Sequence, residues 1–204
     1  MIVLSALVGA MTLSSGLLLM LEPGPMLRPP HPINLRAPSL PGPKAPMLFD
    51  TTAPPQPDWW RAIVVSESGR VGDTAESIAA RHREQGEEGL NCHFVVEPGT
   101  SASSTAVHSG SRWRTQRSGA WATGPYRDWY NRHAISICLV GNSDEKAPNE
   151  TQLRRMIELI HSLQKRFDIP ASQVRHASET DEKISLGRYF PAGYLRQSLL
   201  TTTD

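Results

Sequence analysis

The 204-residue chain lacks an excess of charge of either sign: 21 Lys and Arg stand against 20 Asp and Glu, for a formal net charge of +1. That balance excludes the basic surplus by which most nucleic-acid binders hold a phosphate backbone. Cysteine is nearly absent, with Cys92 and Cys138 alone. Two thiols make no disulfide framework. Each lies in an apolar, strand-like run, and the sequence leaves open a pair of buried thiols or a single bridge. Aromatics are scarce, at 6%. No Lys or Arg precedes the apolar run that follows Met1, so the basic leader of an ordinary signal peptide is missing.

What is present divides the chain in three. Residues 2–21 carry no charge and are long enough to cross a bilayer as a helix. They are expected to act as an uncleaved membrane anchor, with a cleaved signal as the alternative. Residues 22–58 are crowded with Pro, which can extend neither helix nor ladder, and read as a linker. Residues 59–204 carry the periodicity of a folded domain.

Within that domain, Ala62–Val65, Phe94–Val96 and Ile135–Val140 are short, apolar and β-branched, as buried strands are. Asp73 with Glu76 predicts a capped helix start, with Ile78, Ala79 and His82 on one face. Asn149 with Gln152 predicts another, followed by Leu153, Met156, Ile157, Ile160, Leu163 and Phe167 at helical spacing and ended near Pro170. A last helix over 191–200 is expected to bury Tyr194, Leu195 and Leu199. Strands alternating with helices predict an α/β domain with a mixed, mostly parallel central sheet flanked by helices.

Five blocks carry a family likeness: WWRAIVVSES (59–68), NCHFVV (91–96), RHAISICLVGN (132–142), TQLRRMIELIHSLQKRF (151–167) and VRHASETDEKISLGRYFP (174–191). Together they resemble the peptidoglycan recognition protein and N-acetylmuramoyl-L-alanine amidase (type 2 amidase) superfamily. The resemblance implies a groove along one face of the sheet and a zinc ion held by three side chains. The ligand positions it points to are Ser66, where relatives carry His; His176, which is retained; and Ser185, where relatives carry Cys or Asp. Ser185 also lies one residue farther from His176 than the family's usual spacing. Cys92 occupies the position of a family Tyr that assists the tetrahedral intermediate. Trp121 replaces a pocket His. Lys183 matches a Lys that stabilises the oxyanion in some phage-type members. Asn131 matches an Asn that holds the loop before the third strand.

The residues themselves qualify that inheritance. A lone imidazole with two hydroxyls is a poor zinc site. Glu67 follows Ser66, but alternation along a strand turns its side chain to the other face. A rebuilt site using His176 with Glu67 or Asp181 is a further option. His82, His93, His108, His133 and His161 have no ligand-spaced partner and read as packing or surface residues. The irregular stretch 100–131 is rich in Ser, Gly, Arg and aromatics, and Arg114 and Trp121 are candidates to contact a glycan or carboxylate. An apolar lid over the sheet is the alternative. The expectation is therefore a membrane-anchored or exported, cell-envelope domain that has lost zinc and hydrolysis. It would use no cofactor and bind peptidoglycan, muropeptide or an envelope partner. The alternatives are an active zinc amidase cleaving the muramyl–L-alanine amide and a structural envelope protein.

Overall fold

In the computed structural model, residues 48–55, 58–99 and 106–200 are described. The anchor segment 1–21 and most of the Pro-rich stretch lie outside the described residues. The chain divides into two units, 1–39 and 40–204, and every described residue belongs to the second.

Five strands form one sheet: β1 (Ala62–Glu67), β2 (Phe94–Val96), β3 (Val107–Ser109), β4 (Ala134–Leu139) and β5 (Val174–His176). Their order is β3-β2-β4-β1-β5, parallel throughout except for the β2–β3 pair. Among the described residues the α-helices are α1 (Ala75–Glu84), α2 (Ser111–Arg114), α3 (Arg127–His133), α4 (Glu150–Phe167) and α5 (Ala192–Leu200). The mixed, mostly parallel α/β sheet expected from the sequence is what forms.

The two faces of the sheet differ in bulk. Ile63, Val65, Ile135, Ile137 and Leu139 share one core cluster with Met156, Ile160 and Leu163 of α4. Each such side chain gains roughly 1.5–3 kcal/mol on full burial. The other face is built from small residues, with Ala62, Val64 and Ala134 packed beside Ala177. Burial on both faces is why these strands read as unbroken apolar runs.

Helix α4 begins where the sequence places it. Asn149 caps it by accepting from the Gln152 N–H at 2.8 Å. The Gln152 side chain does not close the capping box. It is 1% exposed and donates to the Val96 and Val140 carbonyls at 3.0 and 2.8 Å. The helix stops as Asp168 turns left-handed, at φ 52°, two residues before Pro170.

Three expectations need correction. Helix α1 is capped by Thr74 and Ser77, not by Asp73 and Glu76; Asp73 instead takes the Arg81 guanidinium, at 2.8 Å. Tyr194 is 40% exposed, while Leu195 and Leu199 are buried as expected. The domain also starts before residue 59, since Leu48 and Phe49 pack on the main core and Phe49 meets Phe94 and Trp113 edge to face. The stretch 100–131, irregular in sequence, supplies strand β3 and the fully buried Trp113.

Candidate functional site

β1 and β5 are parallel neighbours, with Val65 opposite His176. Ser66 therefore emerges beside His176 at the carboxyl ends of the strands, where open α/β sheets place their ligands. The loop after β5 brings Ser185 to the same place. All three line one cavity of about 430 Å³, together with Arg81 and His82 of α1 and Trp121 of the loop after α2. The small side chains on this face of the sheet leave the room that the cavity occupies.

His176 is 3% exposed. Its Nδ1 accepts from the Ser178 backbone N–H at 3.1 Å and lies 2.9 Å from the Ser178 hydroxyl. Its own N–H donates to the Glu179 carboxylate at 3.1 Å, and Phe190 packs on the ring at 4.5 Å. Burial lowers the imidazole's pKa, opposed in part by Glu179. The Nε2 atom is buried and has no hydrogen-bond partner among the described residues. The Ser185 hydroxyl accepts from the Gly187 N–H at 3.0 Å.

One imidazole and two neutral hydroxyls do not make the three-ligand set that zinc requires. Among the described residues no three His, Cys, Asp or Glu side chains group closely enough to hold a metal ion. Glu67 lines the cavity too, but its carboxylate and that of Asp181 are already engaged by other groups. Glu67 accepts from the Ser143 N–H at 3.0 Å and the Ser143 hydroxyl at 2.5 Å, and burial raises its pKa. Asp181 accepts from the Thr123 hydroxyl at 2.6 Å and the Lys183 N–H at 3.0 Å, contacts that hold its pKa low.

The remaining candidates scatter. Cys92 is buried under α1 in a cluster with Ile78, Val95 and Cys138, and it does not line the cavity, whereas Cys138 does. Both cysteines are free thiols. Contact with Cys92, then burial, pushes the Cys138 thiol up. Lys183 is exposed and off the cavity wall. Arg114 is exposed on α2, where its carbonyl accepts from Thr52. Asn131 clamps the cavity loop, its Oδ1 accepting from the Ala122 N–H at 2.9 Å and its carbonyl from Gly119.

The aromatics of the irregular stretch divide between the two roles left open for them. Trp113 is core, Trp121 is on the cavity wall, and Tyr126 and Trp129 are exposed. His93 is packing, as expected: fully buried, bonded to Ser136 and to the Arg117 carbonyl, with its pKa lowered by burial to about 4.

Arg81 and His82 were not singled out from sequence as cavity residues. The available signal was spacing, since they follow the buried Ile78 by one helical turn and share its face. His82 Nδ1 accepts from the Asn91 backbone N–H at 3.1 Å, and burial followed by the Arg81 charge lowers its pKa.

The family model for N-acetylmuramoyl-L-alanine amidase matches residues 55–188. Among solved structures, the N-acetylmuramoyl-L-alanine amidase LysC from Clostridium intestinale URNW is similar at 18% identity and TM-score 0.57, over 74% of this chain and 93% of that one. Peptidoglycan recognition protein LE, solved with tracheal cytotoxin (a monomeric diaminopimelic acid-type peptidoglycan), is similar at 16% identity and TM-score 0.51, over 71% and 85%. PGRP-SA of Apis mellifera matches at 16% identity and TM-score 0.50, over 68% and 87%. At these identities the likeness is one of fold. No curated protein sequence matches this chain. With a family match over residues 55–188 and the sheet and cavity described above, the chain belongs to the N-acetylmuramoyl-L-alanine amidase family.

Proposed function

We propose that this domain binds peptidoglycan fragments in the cavity between β1, β5 and α1 and does not hydrolyse them. One observation carries the reading: Ser66, His176 and Ser185, the residues that the family resemblance points to as its zinc positions, line a single cavity. Hydrolysis through zinc needs three ligands and an open position for water. Two hydroxyls in place of charged or imidazole ligands remove the means of lowering that water's pKa. Binding asks less, namely a shaped cavity with donors and acceptors, and the cavity is kept. The complex of peptidoglycan recognition protein LE with tracheal cytotoxin supports a muropeptide as the ligand class.

The family match favours a second reading, an active zinc amidase with a rearranged site in which His176 is joined by ligands other than Ser66 and Ser185. Delivery to the envelope by an anchor over 2–21 and a Pro-rich tether belongs to the same proposal. Among the described residues no helix is long and apolar enough to cross a membrane.

The test uses the full chain purified in detergent, exposed to zinc and desalted. Zinc content, cleavage of muropeptides and muropeptide affinity are then measured. Well under one zinc per chain, no cleavage and saturable binding is the expected result. One zinc per chain, lost in His176→Ala together with cleavage, would reinstate the hydrolase. Neither binding nor cleavage would leave a structural envelope protein.

A further inference from the structure

We infer that His82 and His176 face the cavity as neutral Nε2–H donors and hold an amide carbonyl oxygen of the ligand. The inference rests on the peptidoglycan-binding reading above.

Both imidazoles line the cavity. In each, Nδ1 accepts from a main-chain N–H at 3.1 Å: that of Asn91 for His82 and that of Ser178 for His176. A main-chain N–H only donates, so the ring nitrogen it meets must offer a lone pair. A neutral imidazole in that position carries its proton on Nε2. The same tautomer denies His176 the lone pair it would need to take a proton from the Ser66 or Ser185 hydroxyl. A metal-free serine hydrolase is therefore not available to these residues.

His176 Nε2 is buried without a hydrogen-bond partner among the described residues. Such a donor is costly, and an acceptor supplied by a ligand recovers the loss. The wall's charges select the kind of acceptor. Arg81 is already held by Asp73, while the carboxylates of Glu67 and Asp144 also line the cavity. A carboxylate ligand would meet two like charges and one neutralised cation. A neutral carbonyl meets the donors without that repulsion. Secondary amides supply such an oxygen, either in a peptide or in the acetamido group of an amino sugar.

The experiment combines two readouts on the full chain with 15N-labelled histidine. Long-range 15N–1H spectra report the tautomer of each ring and the Nε2 proton. Titration calorimetry gives affinity for three probes: N-acetylmuramoyl-L-alanyl-D-isoglutamine, the free L-alanyl-D-isoglutamine, and the N-acetylglucosamine dimer. Both rings are expected as Nε2–H tautomers, with both Nε2 protons shifting downfield on binding the muramyl peptide. His82→Ala and His176→Ala should each weaken that binding by roughly three- to tenfold. His176→Gln, which keeps a donor, should retain most of it and guards against simple misfolding. The probe that shifts the Nε2 protons identifies the source of the carbonyl.

Saturable binding of the muramyl peptide with both Nε2 signals unmoved would overturn this inference and leave peptidoglycan binding standing. An Nδ1–H tautomer at His176 would do the same. No binding of any probe would overturn both.

Discussion

Replacing Gly187 with Ala should be costly, because two penalties coincide there. Gly187 has φ +78°, and a Cβ built on it would lie 2.5 Å from the Ser143 Cβ and 3.0 Å from the Ser143 carbonyl carbon. The left-handed conformation costs a non-glycine residue about 1–2 kcal/mol. The collision is with backbone and a Cβ, which cannot swing aside, and overpacking of that kind costs about 1–3 kcal/mol. The sum is about 2–5 kcal/mol. Gly72 separates the two terms: its φ is +86° and nothing lies within 4 Å of its virtual Cβ, so Gly72→Ala should show the dihedral cost alone. Urea unfolding of both variants beside the parent measures the difference. With a slope of about 1–3 kcal/mol/M, the collision cost of about 1–3 kcal/mol should lower the Gly187→Ala midpoint by roughly 0.3–3 M relative to Gly72→Ala. Function should follow stability, because the Gly187 N–H donates to Ser185 and its carbonyl accepts from Phe190, which packs on His176. Equal losses in the two variants would refute the predicted contact between the loop at 187 and Ser143.

Gln152→Leu should lose about 2–4 kcal/mol by the same assay, since it strips the Val96 and Val140 carbonyls of their shared buried donor. His93 should make stability depend on pH. Its folded pKa is lowered from 6.5 to about 4, so the unfolded chain takes up a proton first. The contribution is complete above pH 6.5 and is lost as pH falls toward 4, by about 3 kcal/mol in all. The stability difference between parent and His93→Gln should narrow across that interval, and a constant difference would count against it. Cys92 and Cys138, buried as free thiols, should resist a thiol reagent in the native protein and both react in urea. Rapid labelling without denaturant would show the cluster under α1 to be open.

The parts of this fold legible in sequence are those that a one-dimensional pattern encodes. The period of Leu153, Met156, Ile160 and Leu163 fixes α4, and the apolar runs of β1 and β4 mark strands buried on both faces. Capping at α1 was displaced by one residue because Asp73 and Thr74 are both good caps. Only the fold brings Arg81 to Asp73 and leaves the cap to Thr74. Strand β3 is three residues long, too short for alternation to register, and exists because β2 offers it an edge. Trp113 could equally have faced a ligand; contacts with Phe94, Phe49 and Phe167 make it core. At the site, family motifs pointed to Ser66, His176 and Ser185, and the fold brings the three to one cavity. The tautomer of each cavity histidine stayed hidden, since it depends on which main-chain N–H the folded chain presents to Nδ1.

The short outer strands have a consequence for how copies of this chain tolerate one another. A sheet's open edge is a template for aggregation in proportion to the unpaired backbone it displays. Here both edges, β3 and β5, are only three residues long, while the longer β1 and β4 are enclosed between neighbours. Another molecule docking edge to edge could gain only a few ladder bonds, too few to propagate a stack.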